Sequence, residues 1–177
     1  GIYVFDKEVL LEVLDKYCSQ KTSDFGHHII PPMIENGNVF AYEFDGYWRD
    51  VGTVKSFWET NLELTDPVPE LDLYDKDWKL HTRSVEQPPA KFGYKGKAVG
   101  SIVANGAVIN GIVENSVIGP GVFVERGALI RDSIIFNDSV VKRDSIVRKS
   151  IIDKEVIVGS NSHIGFSNDF TPNHKLS

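Results

Sequence analysis

Residues 122–164 read VFVERGALIRDSIIFNDSVVKRDSIVRKSIIDKEVIVGSNSHI. Stepping by six from Val122 lands on Ala128, Ile134, Val140, Ile146, Ile152, Val158 and Ile164, every one small or aliphatic. The column just before holds Gly121, Gly127, Ser133, Ser139 and Ser145, and three of those serines follow an aspartate: Asp132, Asp138 and Asp144. An earlier run, Ile112, Ile118, Val124 and Ile130, keeps the same period in another phase, so the register slips near residues 111–118. A helix needs apolar returns at three and four, and a strand needs them at two. Period six instead matches one flat side of a three-sided coil, with one aliphatic side chain turned inward per side. Small residues then belong at the corners, where a bulky side chain would clash. Stacked coils share a continuous aliphatic core. About 66 residues at three sides per coil predict three to four coils, over residues 99–165.

Composition narrows the rest. The chain has 177 residues, 41% of them hydrophobic, and a net charge of −6. That charge and the lack of a Lys/Arg run argue against nucleic acid or an anionic membrane as partner. No stretch approaches the roughly 18 apolar residues of a membrane span. The start, Gly1–Phe5, has no charged region typical of a signal peptide and no initiator Met, so a cut end is expected. One cysteine, Cys18, allows no internal disulfide framework, and a reduced cytoplasmic setting is the expectation. Residues 1–66 carry 12 acidic and 5 basic residues, which places the negative charge in the first third. It suits a site handling metal or sugar, or a solvated acidic face.

The first hundred residues read differently. Ile2–Phe5 is expected to be a short strand, and Asp6 to cap a helix over Lys7–Tyr17. Ser23 or Asp24 should cap a second helix around Phe25–Ile30, ended or kinked at Pro31-Pro32. Asn36-Gly37 marks a turn, and Val39–Phe44 alternates as a strand. Thr53 should cap a helix over Val54–Leu64 that buries Val54, Phe57, Trp58 and Leu62. Two strands are too few for a parallel sheet, so residues 1–66 read as an incomplete α/β domain. Residues 67–98, with four prolines, read as an ordered connector with some local structure, and 166–177 as a polar tail.

Chemistry centres on Trp48–Gly52. A carboxylate between a strand end and a helix N-terminus is where α/β folds place ligand and metal groups. Asp50 could hold Mg²⁺ through a hard oxygen, or could simply cap the turn. Trp48 offers a flat wall for a sugar. Arg49 could pair with a phosphate or with one of the nearby acids.

Two resemblances build on these residues. The repeat resembles the hexapeptide left-handed β-helix, whose handedness is implied by the likeness. That scaffold serves several chemistries and names none of them. Gly1–Phe5 (GIYVF), Asp24–Gly26, Ile29–Pro31, Gly46–Thr53 (GYWRDVGT), Leu71–Tyr74, Pro88–Phe92, Val113–Val117 and Ile151–Lys154 resemble, in order, the later part of glucose-1-phosphate adenylyltransferases. The expected fold is thus the end of a nucleotidyltransferase α/β domain followed by a left-handed parallel β-helix. The resemblance implies ATP and glucose 1-phosphate as substrates, ADP-glucose and pyrophosphate as products, and a role in glycogen or starch synthesis. It implies Mg²⁺ on two aspartates, with Asp50 matching the second. Tyr3, Asp24, Phe25 and Trp48 match the glucose 1-phosphate pocket; Tyr3 and Phe25 could equally be core. Lys154, with Arg148 and Lys149 nearby, matches a basic region that binds phosphorylated effectors. Homo-oligomers are implied as well.

The family's Gly-rich nucleotide loop, first metal aspartate and phosphate-binding Lys are not among these residues. The isolated chain is therefore expected to be inactive, since phosphoryl transfer depends on positioning and electrostatics. Two other readings stay open. A regulatory or oligomerisation module would need no catalysis. A hexapeptide acyltransferase would need a catalytic His, and His163 is the sole histidine in the repeat. A carbonic anhydrase of this fold would need three zinc histidines, and the five present are spaced wrongly for it.

Overall fold

The computed structural model describes residues 1–18, 23–35, 37, 39–82 and 86–165. They fall into two compact units, Gly1–Gly46 and Tyr47–Ser177.

In the first unit, α1 spans Lys7–Tyr17 as expected, and Asp6 Oδ1 accepts the N–H groups of Glu8 and Val9 at 2.9 and 3.3 Å. Asp24 caps a π-helical turn, Phe25–Ile29, by accepting the His27 N–H at 2.9 Å. The turn runs straight into α2, Ile30–Glu35, so Pro31-Pro32 does not end the helix. Both prolines lie in the first turn of α2, where an absent N–H costs little. The expected strands Ile2–Phe5 and Val39–Phe44 are not formed. A strand exists only by pairing, and neither segment has a ladder partner among the described residues. Val4, Phe40 and Tyr42 are accordingly 97%, 89% and 89% exposed. The expected turn at Asn36-Gly37 lies partly outside the described residues; Gly37 has φ +80°.

The second unit opens with α3, Val54–Glu63. Thr53 Oγ1 accepts the Ser56 N–H at 3.0 Å and Ser56 Oγ accepts the Thr53 N–H at 3.1 Å, a reciprocal cap. Phe57, Trp58 and Leu62 are half-buried, whereas Val54 is exposed, contrary to expectation; it shares their face but is the first residue of the helix. Beyond α3 the chain runs through short turns, two of them closed by Asp72 and Asp75 side chains.

A parallel β-solenoid follows, of about four turns and three faces. The first face stacks β1 (Lys91–Phe92), β4 (Val108–Ile109), β7 (Phe123–Val124), β10 (Val140–Val141) and β13 (Ile157–Val158). The second stacks β2 (Lys97–Val99), β5 (Ile112–Glu114), β8 (Leu129–Arg131), β11 (Ile146–Arg148) and β14 (His163–Ile164). The third stacks β3 (Ile102–Val103), β6 (Val117–Ile118), β9 (Ile134–Ile135) and β12 (Ile151–Ile152). The coil thus begins at Lys91, inside the stretch read as connector.

The register corrects the simple hexad. Lys91 pairs with Val108, Val108 with Phe123, Phe123 with Val140 and Val140 with Ile157. One coil therefore takes 17 residues, or 15 between Val108 and Phe123, where three equal hexads would take 18. The third face is one residue short, so a strict step of six drifts outward. Val140 and Ile146 on that step are only half-buried. The inward column is Ile118, Val124, Ile130, Ile135, Val141, Val147, Ile152 and Val158, none above 8% exposed. Asn115, Asp132 and Lys149 turn the tight corner before the third face with φ of 44°, 50° and 44°.

Two devices lock the corners. Ser101, Ser116, Ser133 and Ser150 form a ladder along one edge. Each Oγ donates to the carbonyl two residues back, and those of Ser101, Ser116 and Ser133 also accept the next serine's N–H at 3.1–3.2 Å. Small polar residues are needed here because the corner backbone is buried and must be paired. At Gly127, with φ +81°, a Cβ would lie 2.1 Å from the Asp144 carboxylate of the next coil.

Helix α3 covers the third face. Phe57 and Phe136 pack with ring centroids 6.1 Å apart, and Trp58 Nε1–H donates to the Asp132 carbonyl at 2.8 Å. Ile134 beneath is 1% exposed.

Candidate functional site

The stretch Tyr47–Gly52 lies ahead of the capped N-terminus of α3 and has no regular structure of its own. Tyr47 and Arg49 turn to one carboxylate oxygen at the far end of that helix. Glu63 Oε2 accepts from Arg49 Nε at 3.0 Å and from the Tyr47 hydroxyl at 3.3 Å. Arg49 Nη2 reaches Glu70 at 3.4 Å, and the guanidinium carbon stands 5.4 Å from the Tyr47 ring centre. Burial first, then the Glu63 charge, pushes the Tyr47 phenol above its ordinary value. Donating a hydrogen bond to Glu63 holds the Arg49 guanidinium more firmly charged. Of the two partners open to Arg49, acids and a phosphate, the structure shows acids.

Trp48 and Asp50 alternate with these clasped residues and are exposed, Trp48 at 57%. Asp50 Oδ1 accepts the Gly52 N–H at 3.0 Å, which shapes the turn into the helix. Its Oδ2 has no protein partner among the described residues. That oxygen suits a hard divalent cation that keeps several waters and takes its other ligands elsewhere. Among the described residues, no three His, Cys, Asp or Glu side chains gather into a metal site.

Tyr3, Asp24 and Phe25 belong to the first unit. Tyr3 and Phe25 stack at 5.7 Å with an 18° interplanar angle, and Phe5 leans on both. Phe5 was not expected in this group; its place there comes only from packing on Tyr3 and Phe25. Asp24 uses Oδ1 on the His27 N–H, and its own N–H donates to His28 Nδ1 at 3.0 Å. The sequence did not reveal Glu63 either: the only signal was an acid at the last position of a helix, where the dipole disfavours it.

The two effector candidates lie on the solenoid. Arg148 ends β11 in register with Arg131, which bonds to Glu114 at 2.7 Å. Lys154 is exposed at the corner after β12, where its N–H donates to Asp153 Oδ1 at 2.8 Å. They flank β12 at opposite corners of the third face. His163 starts β14 and is exposed. An open recess of about 410 Å³, lined by Trp58, Glu59, Leu62, Glu63, Asp66 and Asn115, lies on the side of α3 towards Glu63.

Residues 1–67 match the family described as Nucleotidyl transferase, and residues 88–173 the family described as GlmU-like, C-terminal hexapeptide. The glucose-1-phosphate adenylyltransferase of Pseudothermotoga lettingae is 50% identical over 133 residues, which is 73% of this chain and 32% of the relative. The enzyme of that name from Fervidobacterium nodosum is 45% identical over 138 residues, 76% of this chain and 33% of the relative. That from Acetivibrio thermocellus is 47% identical over 137 residues, 76% of this chain and 32% of the relative. The chain spans about a third of the length of these curated relatives.

Proposed function

We propose, for a chain that belongs to the glucose-1-phosphate adenylyltransferase family, that it is the part of such an enzyme carrying one metal-holding carboxylate, one side of the sugar phosphate pocket and the solenoid. The reaction joins ATP to glucose 1-phosphate and yields ADP-glucose and pyrophosphate, for glycogen or starch synthesis. One observation carries this: the exposed carboxylate of Asp50, unpartnered at Oδ2, beside exposed Trp48 at the entry to a capped helix, in a chain up to 50% identical to these enzymes. Asp50 would hold Mg²⁺, which when bound offsets phosphate charge during transfer. Trp48 supplies a flat apolar face to the sugar ring, and Asp24 accepts hydrogen bonds from its hydroxyls. Tyr3 and Phe25, stacked on one another, are proposed for glucose 1-phosphate as well. Lys154 and Arg148 pair with a phosphorylated effector at the solenoid.

The chain by itself is proposed to be inactive. The test compares it with a chimera in which it replaces the matching third of the Pseudothermotoga lettingae relative. With ATP, glucose 1-phosphate and Mg²⁺, the chimera should release pyrophosphate and the isolated chain should not. Turnover by the isolated chain, or none by a folded chimera, would count against the reading. In the same chimera, Lys154→Ala should blunt the response to a phosphorylated sugar effector; an unchanged response removes Lys154 from that role.

An assembly role is favoured by the first face of the solenoid. Below Lys91, its outward column, Val108, Phe123, Val140 and Ile157, is apolar and in register, with Ile157 64% exposed. On the third face, the matching residue Ile134 lies under α3. The entry edge of the first face holds Asp138, Asp153 and Glu155 against Lys154, and its exit edge holds Lys95, Arg126, Lys142 and Arg143 against Glu125 and Asp144. A second copy of the chain, turned about a two-fold parallel to the solenoid axis, would set each acidic edge on a basic one. Sedimentation velocity should show a concentration-dependent dimer that Phe123→Glu abolishes and Phe40→Glu does not. A monomer at all concentrations, or a dimer indifferent to Phe123→Glu, rejects this face.

A further inference from the structure

We infer that Glu63 is a positioning residue for the Trp48–Asp50 segment, acting through Arg49 and Tyr47. The inference rests on the reading of Asp50 given above and extends it to a residue at the opposite end of α3. Residues 47–52 lack a helix or ladder to hold them. Side-chain bonds help to place them, and two of these bonds, from Tyr47 and from Arg49, converge on one acceptor. Glu63 Oε2 takes Arg49 Nε at 3.0 Å and the Tyr47 hydroxyl at 3.3 Å, while Glu70 takes the outer Arg49 nitrogen at 3.4 Å.

The geometry has a directional consequence. Residues 47 and 49 are drawn to Glu63, while 48 and 50, between and after them, are exposed. That pair is the one proposed to meet sugar and metal. The anchor is itself anchored: Phe57 packs on Phe136, and Trp58 bonds to the Asp132 carbonyl. A continuous line of contacts thus runs from the solenoid coil, through α3 and Glu63, to the segment bearing Asp50.

Energetics argue for placement over bulk stability. Arg49 and Glu63 keep 44% and 39% of their side-chain surface exposed, and ion pairs this wet contribute little to stability. An acid at the last turn of a helix also opposes the dipole. A residue that local preference disfavours and that adds little stability, yet gathers two donors from one loop, has a job in tertiary geometry.

The test has two readings. In the chain itself, hydrogen exchange of a peptide covering residues 47–53 should quicken about tenfold in Glu63→Gln and in Arg49→Met. The solenoid peptides should be unmoved, and Glu59→Gln, whose partner is Lys55 at 3.6 Å, should have no effect. Arg49→Met added to Glu63→Gln should add nothing further. In the chimera, Glu63→Gln should lower kcat about tenfold with KM for ATP nearly unchanged, and Glu63→Asp should recover part of the loss. Unchanged exchange at 47–53, or faster exchange throughout the unit, overturns the positioning role. Faster local exchange with unchanged turnover keeps Glu63 as the anchor of residues 47–53 and overturns the catalytic reading of Asp50.

Discussion

Asp50→Asn is expected to lower kcat of the chimeric enzyme about a thousandfold, equivalent to roughly 4 kcal/mol, while its melting temperature stays put. The two halves of that expectation have separate grounds. Asparagine keeps an oxygen at Oδ1, so the bond from the Gly52 N–H, which shapes the turn, survives. The side chain is exposed, so no packing is lost. What disappears is the negative charge and with it the proposed hold on Mg²⁺. Raising the Mg²⁺ concentration should therefore restore part of the rate, which a purely structural defect would not allow. A kcat within threefold of the parent at ordinary Mg²⁺ would remove Asp50 from the catalytic machinery.

The second large effect lies in the solenoid and tests its register. Val147→Asp should abolish the cooperative unfolding of the coil, because a carboxylate would enter a column with no polar partner, at a cost of several kcal/mol. Val147 is fully buried between Ile130 and Ile164 of the adjoining coils. Ile146→Asp, one residue away, should cost no more than about 1 kcal/mol, since that side chain is half-buried on the outer side. Urea titration followed by circular dichroism measures both. Equal steps of six would predict the reverse order, because that count puts Ile146 inward. An inverted outcome would show that the inward column had been misassigned.

Much of the fold could be read from local chemistry. Asp6 before Lys7–Tyr17 and Thr53 before Val54–Glu63 are caps whose bonds form within one turn, and both are made as expected. The repeat of aliphatic and small residues announced a stacked coil because each coil repeats the same packing problem. The candidate segment at Trp48–Asp50 was also visible, as a carboxylate and an aromatic just before a capped helix.

Other features needed partners that no local window contains. Ile2–Phe5 and Val39–Phe44 have the alternation of strands but no ladder partner among the described residues, so their pattern yields no sheet. Pro31-Pro32 looks like a stop, yet falls in a first turn that tolerates it.

From the sequence alone come the caps, the existence of a β-branched coil and the segment that bears Asp50, because each rests on contacts within a few residues or on a repeated one. Tertiary structure alone decided three things. The 17-residue coil emerges only when Val124 must stack under Val141 and over Ile109, since side-chain contact between coils sets the register. The cover on the third face depends on α3 returning across many residues to meet Phe136 and Asp132. The choice of Glu63 as the partner of Arg49 depends on the length of α3, which carries that carboxylate to where the guanidinium waits, and charge alone could not have selected it from the acids nearby.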